Sequence, residues 1–390
     1  MNERARGDPE LSIVLTLFGT RPEVIKMAPV IRALERHESI KTINISSSQH
    51  TSLLFPFTKI FNVRIDHDLQ VMRPDQSPDL VCARVLSALN PILTETSPDL
   101  ILVQGDTTTA LAGALAGFAH RIPVGHVEAG LRTDNRLSPF PEEMNRRLIS
   151  RLASLHFAAT EHNRQTLLDE GVPDTTIFVT GNPVVDALRH ILASPRSPSF
   201  VDETLHATEG CRRIVLTTHR RESLGEPMRR NLRVLRRFVE AKNDIALVFP
   251  VHPNPSVVKA ARQELTQHPR IHLIDPLGYP DFIHLLSQAW LIVSDSGGVQ
   301  EEAPTLGKPV LILRENTERP EAVECGVARL VGGEPETLAR MLDEIDADSS
   351  WVESVAGIEN PFGRGDSGAR IAAIVADEML CKLNHLVRTT

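Results

Sequence analysis

The sequence predicts an α/β protein with two Rossmann-like domains, each a doubly wound parallel sheet. Short apolar runs alternate with longer amphipathic segments along the whole chain, which is typical of parallel strands covered by helices on both faces. The chain has 390 residues, which is long for one hydrophobic core and natural for two. Unusual polar residues follow the predicted strands in both halves, at the edge where open parallel sheets bind ligands.

The apolar runs predict strands in two groups. The first group covers residues 13–18, 42–46, 100–103, 123–127, 156–159 and 177–180. The second group covers residues 214–217, 245–250, 271–274, 291–294 and 310–313. Amphipathic periodicity predicts helices between them, for example at 23–36, 78–94, 108–119, 141–152 and 162–170.

The two groups of strands are separated by a break between residues 186 and 213. A Ser- and Pro-rich stretch at 194–199 predicts a surface loop or linker in this break. We therefore expect an N-terminal domain over 1–183 and a C-terminal domain over 184–368. Periodicity alone does not assign the last predicted helix, near 370–386, to either domain.

Composition limits the classes of function. The net charge of −8, from 42 basic and 50 acidic residues, leaves no basic excess for a general nucleic-acid binder. The four cysteines are scattered, and the Asp, Glu and His residues are too dispersed to propose a metal site. The polar N-terminus lacks the apolar core of a signal peptide, and no apolar run approaches the ~20 residues of a membrane span. We expect a cytoplasmic protein with a short disordered N-terminal tail and no membrane partner.

The segment DSGGVQEEAP follows an apolar run and opens a helix. Gly297 and Gly298 let the backbone approach a ligand, and the free amides after Ser296 suit a phosphate. Glu301 and Glu302 follow on the first turns, within reach of a ribose hydroxyl. The alternative is a Ser-capped tight turn whose acidic residues complement the helix dipole.

Two cations follow the first predicted strand. Arg21 lies in the loop and Lys26 on the next turn, with Pro22 near the first helical position. Both could contact a diphosphate or nearby carboxylates. The alternative is a surface arginine and a solvated lysine.

Three carboxylates lie near strand ends or helix starts. Asp106 precedes three threonines, so it could also be a helix cap. Glu128 lies between Val127 and Ala129 at an apolar strand end, where a carboxylate is usually hydrogen-bonded, paired or catalytic. Glu142 opens a helix and could simply complement its dipole. Together they could supply acid and base groups with different pKa values.

The second half adds two histidines and an arginine at strand ends. His219, followed by Arg220 and Arg221, could contact a phosphate or donate a proton to it. His252 lies between prolines, and a structural role is as plausible for it. Arg319 suits a phosphate clamp, and the alternative is an ion pair with Glu318 or Glu321. The chain contains no GxxxxGK[ST] segment, and no GxGxxG follows the first strand.

These segments, in this order, resemble the non-hydrolysing UDP-N-acetylglucosamine 2-epimerases. They are GTRPEVIKMAP (19–29), GDTTTALA (105–112), GHVEAGLRT (125–133), SPFPEEMNRR (138–147), TGNPVVDAL (180–188), THRRESLGEP (218–227), PVHPNP (250–255), LIDPLGYPDF (273–282), DSGGVQEEAPTLGKPVL (295–311) and TERPEAVECG (317–326). The resemblance runs from about residue 12 to the NPFGRGDS segment at 360–367.

The resemblance implies a glycosyltransferase-B type fold with the active site in the cleft between the domains. It implies that the C-terminal helix, 369–390, packs back on the first domain, and that 184–368 binds UDP. It implies reversible interconversion of UDP-N-acetylglucosamine and UDP-N-acetylmannosamine, by elimination and re-addition of UDP through 2-acetamidoglucal. Neither a metal nor another cofactor is implied, and relatives are usually homodimers.

The resemblance also implies roles for individual residues. Asp106, Glu128 and Glu142 resemble the acid/base carboxylates, and His219 resembles the group that assists UDP departure. The residues that resemble UDP contacts are Arg21, Lys26, Ser296, Gly297, Gly298, Glu302 and Arg319. The residues do not assign a carboxylate to either sugar face.

Many bacterial relatives are activated by substrate bound beside the active site. The matching residues Gln49, His50, Arg220 and His252 are kept here. Ser52 stands where a second Gln is common, and Asp75 stands where an Arg is common. Whether activation is retained stays open.

Other functions remain open from the residues. One is a glycosyltransferase of the same fold, another a hydrolysing epimerase, and a third a catalytically silent nucleotide-sugar sensor. Epimerisation of a related UDP-sugar, such as a diacetamido uronic acid, is a fourth. The carboxylates at 106, 128 and 142 favour the non-hydrolysing epimerase over the first and third alternatives.

Overall fold

The chain forms two compact units in the computed structural model. The model describes residues 11–48, 51–73, 76–133, 135–220, 223–266 and 268–389. The first unit takes the chain up to Ala187 and again from Phe362, and the second is Leu188–Pro361. Within the described residues, no helix is both long and apolar enough to cross a membrane.

The first unit contains a parallel sheet with the strand order β3-β2-β1-β4-β5-β6-β7. The strands are β1 (Ser12–Phe18), β2 (Ile40–Ser46), β3 (His67–Asp68), β4 (Leu100–Gln104), β5 (Val124–Ala129), β6 (Leu155–Ala158) and β7 (Ile177–Val179). Helices connect them at α1 (Arg21–Leu34), α2 (Thr51–Ile60), α3 (Pro78–Thr96), α4 (Thr108–Ala119), α5 (Glu142–Leu152), α6 (Glu161–Asp169) and α7 (Pro183–Ala193), the last crossing the unit boundary along the chain.

The second unit also contains a parallel sheet, with the strand order β10-β9-β8-β11-β12-β13. Its strands are β8 (Arg212–Thr217), β9 (Ile245–Pro250), β10 (Ile271–Ile274), β11 (Leu291–Ser294), β12 (Val310–Ile312) and β13 (Ala328–Leu330). Its helices are α8 (Phe200–Ala207), α9 (Glu226–Ala241), α10 (Pro255–Leu265), α11 (Tyr279–Ser287), α12 (Gly297–Leu306), α13 (Pro320–Glu324), α14 (Pro335–Ala347) and α15 (Ser350–Val355). A last helix, α16 (Ser367–Thr389), returns to the first unit.

The predicted α/β class with parallel sheets is confirmed. Inner strands such as β4 and β11 are buried along their whole length, because helices cover both faces, and this burial produces their unbroken apolar runs. The sequence missed β3 and β13, which lie at sheet edges and pair with one neighbour each. They are short and include exposed or half-buried residues, so they lack the apolar run that identifies an inner strand.

The start of α16 is fixed by contacts within the first unit. The amides of Ser367 and Gly368 donate to the Asp186 carboxylate, over 3.2 and 2.9 Å. A carboxylate at this end satisfies free amides and complements the helix dipole. Gly368 lies against α1, where a Cβ on it would be 2.6 Å from the Pro29 carbonyl oxygen. The packing of α16 on α1 therefore requires a glycine at this position.

We predict that Gly368→Ala lowers the free energy of unfolding by about 1–3 kcal/mol, because the added methyl overlaps backbone atoms. The midpoint of urea unfolding measures this loss. Gly357→Ala is the matched control, since the nearest atom to its added Cβ is the Ser354 carbonyl oxygen at 4.0 Å. An unchanged or raised midpoint for Gly368→Ala would contradict the described packing.

Candidate functional site

Glu128 is a buried carboxylate of the first unit with an unusual backbone conformation. It is 6% exposed, and its backbone φ is +66°, a left-handed conformation that is uncommon outside glycine. The register between β5 and β6 shifts between Val127 and Ala129, so Glu128 occupies a bulge. Strained backbone of this kind clusters at functional sites.

Three donors surround the Glu128 carboxylate. Lys26 and Gln104 donate through their side-chain nitrogens, and Asn182 Nδ2 donates to Oε1 over 3.0 Å. Lys26 is only 8% exposed, so the interpretation of a solvated lysine is wrong. The buried carboxylate thus accepts hydrogen bonds from an ammonium and two amides, which offset its burial.

The Asp106 loop, residues 105–107, passes beside this carboxylate. Gly105 has φ +68°, and a Cβ on it would be 3.5 Å from Glu128 Oε2. His126 Nε2 lies 2.7 Å from the Gly105 carbonyl oxygen. Burial lowers the pKa of His126 to about 3, so the ring is neutral and its Nε2–H donates to that carbonyl. The loop after β4 is thereby held against strand β5.

Asp106 itself is held from α5. Arg146 Nη2 donates to its carboxylate over 2.6 Å, and Asn145 Nδ2 donates to its backbone oxygen over 2.8 Å. The helix-cap interpretation of Asp106 is wrong, because Thr107 is the N-cap of α4. Glu142 begins α5, one turn before Arg146. The same helix therefore carries Glu142 and anchors Asp106.

Arg21 is the first residue of α1 and is exposed. Its guanidinium lies 5.7 Å from the centre of the Phe57 ring. Lys26, one turn later, lies against Glu128. Lys26 is thus in contact with a predicted catalytic carboxylate.

In the second unit, a buried aspartate organises the loop after β8. Asp295 is 0% exposed and accepts from the Thr218 hydroxyl over 2.7 Å and from the Arg220 amide over 3.1 Å. It also accepts from the His219 amide, and His219 Nδ1 lies 3.8 Å from its Oδ1. The loops after β8 and β11 meet here because these strands are neighbours in the sheet.

The two predicted histidines stack on each other. The ring centres of His219 and His252 are 5.0 Å apart, and the ring planes differ by 12°. The Asn254 amide donates to His252 Nδ1 over 3.2 Å, which leaves the proton of a neutral ring on Nε2. Because β9 pairs with β8, the loops after both strands lie side by side. His252 therefore contacts a predicted catalytic residue.

Arg319, the N-cap of α13, lies against Gly297, the first residue of α12. A Cβ on Gly297 would be 2.6 Å from Arg319 Nη1, so the guanidinium packs directly against this glycine and a larger residue would displace it. Arg319 Nε donates to Glu301 over 2.6 Å, and its Nη1 is 3.4 Å from Glu318. Ser296 is the N-cap of α12, and Glu302, one residue beyond Glu301, accepts from the Tyr279 hydroxyl over 2.8 Å.

The sequence missed several residues that hold the site together. Gln104 and Asn182 donate to Glu128, Arg146 holds Asp106, and Asp295 holds the His219 loop. Gln104 carried a signal, since it ends an otherwise apolar strand. Asp295 is a buried charge directly after an apolar run, which is a comparable signal.

The residues suggested for substrate activation are described only in part. Gln49, His50 and Asp75 lie outside the described residues. Arg220 is described, and its Nη1 lies 3.8 Å from Glu318 Oε1. Within the described ranges, no group of three or more His, Cys, Asp or Glu side chains is placed to hold a metal ion.

Comparison with known proteins decides the family. A profile of the family described as UDP-N-acetylglucosamine 2-epimerase matches residues 32–376. The chain belongs to this family. The resemblance predicted from the polar segments is confirmed, and with it the glycosyltransferase-B-like fold class that the solved relatives share.

Relatives match almost the whole chain. The UDP-N-acetylglucosamine 2-epimerase of Salmonella typhimurium is 43% identical over 363 residues, which is 92% of this chain and 96% of that protein. The enzyme of the same description from Bacillus subtilis is 42% identical over 358 residues, covering 92% and 93% of the two chains.

Solved structures of the same family are similar to this chain along nearly its whole length. The Neisseria meningitidis UDP-GlcNAc 2-epimerase bound to UDP-GlcNAc has a TM-score of 0.87 at 41% identity, covering 94% of this chain and 99% of that chain. The Methanocaldococcus jannaschii UDP-GlcNAc 2-epimerase in complex with UDP-GlcNAc and UDP has a TM-score of 0.78 at 35% identity, with the same coverage.

We predict that Lys26→Met lowers the free energy of unfolding of this protein by about 3–5 kcal/mol, because the substitution leaves the buried Glu128 carboxylate without its cation. The double variant Lys26→Met/Glu128→Gln recovers most of this loss, since the charge is removed as well. Urea unfolding of both single variants and the double variant measures the coupling. Equal losses for Lys26→Met with and without Glu128→Gln would contradict the buried pair.

Proposed function

We propose that this protein reversibly converts UDP-N-acetylglucosamine to UDP-N-acetylmannosamine without releasing UDP. The observation that carries the proposal is the buried Lys26–Glu128 pair beside the Asp106 loop, in a member of this family. The named relatives support the substrate, since the similar structures include enzymes bound to UDP-GlcNAc and to UDP.

The chemistry requires breaking the bond between the anomeric carbon and UDP. Carbon 2 has no neighbouring carbonyl, so its proton is too weakly acidic for direct exchange. In elimination, a base takes this proton while the bonding electrons at carbon 1 leave with UDP, and 2-acetamidoglucal forms. UDP then re-adds to carbon 1, and an acid returns a proton to the opposite face of carbon 2. The reaction inverts carbon 2 with no net change in atoms.

The first unit carries the carboxylates for this proton transfer in the proposal. Glu128 is buried and held by three donors, whereas the Asp106 side chain is partly exposed and paired with Arg146. Glu142 begins a helix, where the amides favour an ionised carboxylate. Because different environments separate the pKa values of carboxylates, such a set can supply both acid and base.

The second unit carries the proposed UDP contacts. Ser296, Gly297 and Gly298 open α12, whose first amides and dipole suit a phosphate. Arg319 lies against Gly297 and supplies cationic charge at the same helix end. Glu302 is proposed for the ribose, and Arg21 and Lys26 of the first unit complete the proposed set. His219, whose backbone Asp295 holds, is proposed to stabilise or protonate the departing diphosphate.

Substrate activation is a separate proposal. Arg220 follows His219 in the chain, and the ring of His252 stacks on the ring of His219. With Gln49 and His50 they match the residues that bind activating substrate in relatives. Ser52 and Asp75 replace two of the residues common there, so we propose weaker activation than in those relatives. The homodimer and the cytoplasmic location remain predictions.

The functional alternatives give different products. A glycosyltransferase consumes an acceptor, a hydrolysing epimerase releases UDP and free N-acetylmannosamine, and a sensor turns nothing over. An epimerase of diacetamido uronic acid sugars would leave UDP-N-acetylglucosamine unchanged. One spectroscopic experiment therefore separates the alternatives.

We predict that proton NMR in deuterated water shows UDP-N-acetylmannosamine forming from UDP-N-acetylglucosamine, with deuterium at carbon 2 and no accumulating UDP. Asp106→Asn and Glu128→Gln are expected to lower the rate by about 10²–10⁴-fold, the range for losing a general acid or base. Free UDP with free N-acetylmannosamine would replace the proposal with the hydrolysing enzyme. No turnover of this substrate, but turnover of a uronic acid analogue, would replace the substrate.

A further inference from the structure

Glu23 is a buried carboxylate that the proposed mechanism does not use. It lies in the first turn of α1 and is 1% exposed. Its Oε2 accepts from the Gly19 amide over 3.1 Å, and from the Thr20 amide and hydroxyl over 2.7 Å each. These contacts form a capping box, which satisfies amides at the helix start.

The other oxygen of Glu23 reaches a different loop. Oε1 accepts from the Thr107 hydroxyl over 2.7 Å, across 84 residues of sequence. Thr107 follows Asp106 directly and also accepts from the Ala110 amide over 3.0 Å as the N-cap of α4. One carboxylate therefore joins the starts of α1 and α4.

This link lies at the point where the strand order reverses. The chain proceeds outward from β1 to β2 and β3, and then resumes on the other side of β1 with β4. Ligands of open α/β sheets bind at this crevice. The other described anchors of the Asp106 loop come from the β5 side, through His126, Asn145 and Arg146. Glu23 supplies an anchor from the β1 side.

Capping alone does not require such burial. The capping box of α8 uses Ser199 and Asp202, and the Asp202 carboxylate is partly exposed and paired with Arg196. Burial, by contrast, raises the pKa of Glu23 to about 7, against the opposing effect of hydrogen bonds from Thr20, Thr107 and Gly19. Burial at this position therefore disfavours the ionised form of Glu23. The hydrogen bond from Thr107 gives a reason for a carboxylate to be kept here, because it links Glu23 to the Asp106 loop.

We propose that Glu23 is a positioning residue that, through Thr107, holds the Asp106 loop in register with the start of α1, which carries Arg21 and Lys26. The inference rests on the proposed epimerase function. Glu23 touches no reacting atom in this account, and its effect on catalysis passes through Asp106. Misplacing a reacting group by about 1 Å can cost ~100-fold in rate.

Variants at both ends of the link test the inference. Glu23→Ala removes the acceptor, whereas Glu23→Gln keeps an oxygen for the amides and an NH₂ group that can donate to Thr107. Thr107→Asp keeps a helix cap but replaces the hydroxyl donor with a second carboxylate, and Thr107→Ser keeps both functions. Asp202→Ala is the matched control, because it removes a capping carboxylate with no link to the Asp106 loop.

We expect Glu23→Ala and Thr107→Asp to lower kcat by about 10- to 100-fold. Glu23→Gln, Thr107→Ser and Asp202→Ala should stay close to the parent protein. The Kd of UDP, measured by calorimetry, should change little in every variant, since most proposed UDP contacts lie in the second unit. If Glu23→Ala does not fold, the Thr107→Asp and Thr107→Ser pair carries the test.

Hydrogen exchange separates this inference from the proposed function. Amides of residues 105–107 should exchange faster in Glu23→Ala and Thr107→Asp than in Asp202→Ala, whether or not the protein epimerises the substrate. Faster exchange in a protein without epimerase activity would support the link and reject the function. Unchanged exchange with parental kcat would overturn the inference, as would an equal loss of kcat in Asp202→Ala. A rise in the Kd of UDP as large as the fall in kcat would also overturn it.

Discussion

Both units depend on a buried carboxylate that ties two loops together where the strand order of the sheet reverses. In the first unit, Glu23 joins the loop after β1 to Thr107 after β4. In the second unit, Asp295 after β11 accepts from Thr218 and His219 after β8. A carboxylate suits this position because it accepts several hydrogen bonds at once and satisfies amides that have no strand partner. Two of the predicted catalytic side chains, Asp106 and His219, lie on the loops that are fixed in this way.

The arrangement of buried carboxylates lowers the stability of the fold, because charged groups lose water when they are buried. Glu128 lies in a bulge with a left-handed backbone, and donors such as Lys26, Gln104 and Asn182 offset the desolvation of its carboxylate. A protein that optimised stability alone would place an apolar residue here, because well-packed apolar groups often match or exceed a buried ion pair. Strain and buried charge at one strand end are therefore best explained by the chemistry proposed for this site.

The sequence predicted the fold class because inner parallel strands produce local apolar runs. It missed the edge strands β3 and β13 because they are short and contain charged residues, whereas the edge strands β7 and β10 are mostly apolar and were predicted. It also singled out Glu128, since a carboxylate in an apolar strand end is conspicuous in the sequence itself. The partners of Glu128 were out of reach, because Lys26 is 102 residues away and Asn182 is 54 residues away. The stacking of His219 on His252 depends in the same way on strand order, which local periodicity does not encode.

In the proposed mechanism, the bond between carbon 1 and the UDP oxygen breaks and re-forms during each epimerisation. UDP-N-acetylglucosamine labelled with ¹⁸O in that bridging position tests it most directly, since the released β-phosphate can rotate before re-addition. Phosphorus NMR reports the position of the label. We expect the label to spread into the non-bridging oxygens of the β-phosphate as carbon 2 inverts. Inversion of carbon 2 with the label still wholly in the bridge would contradict it.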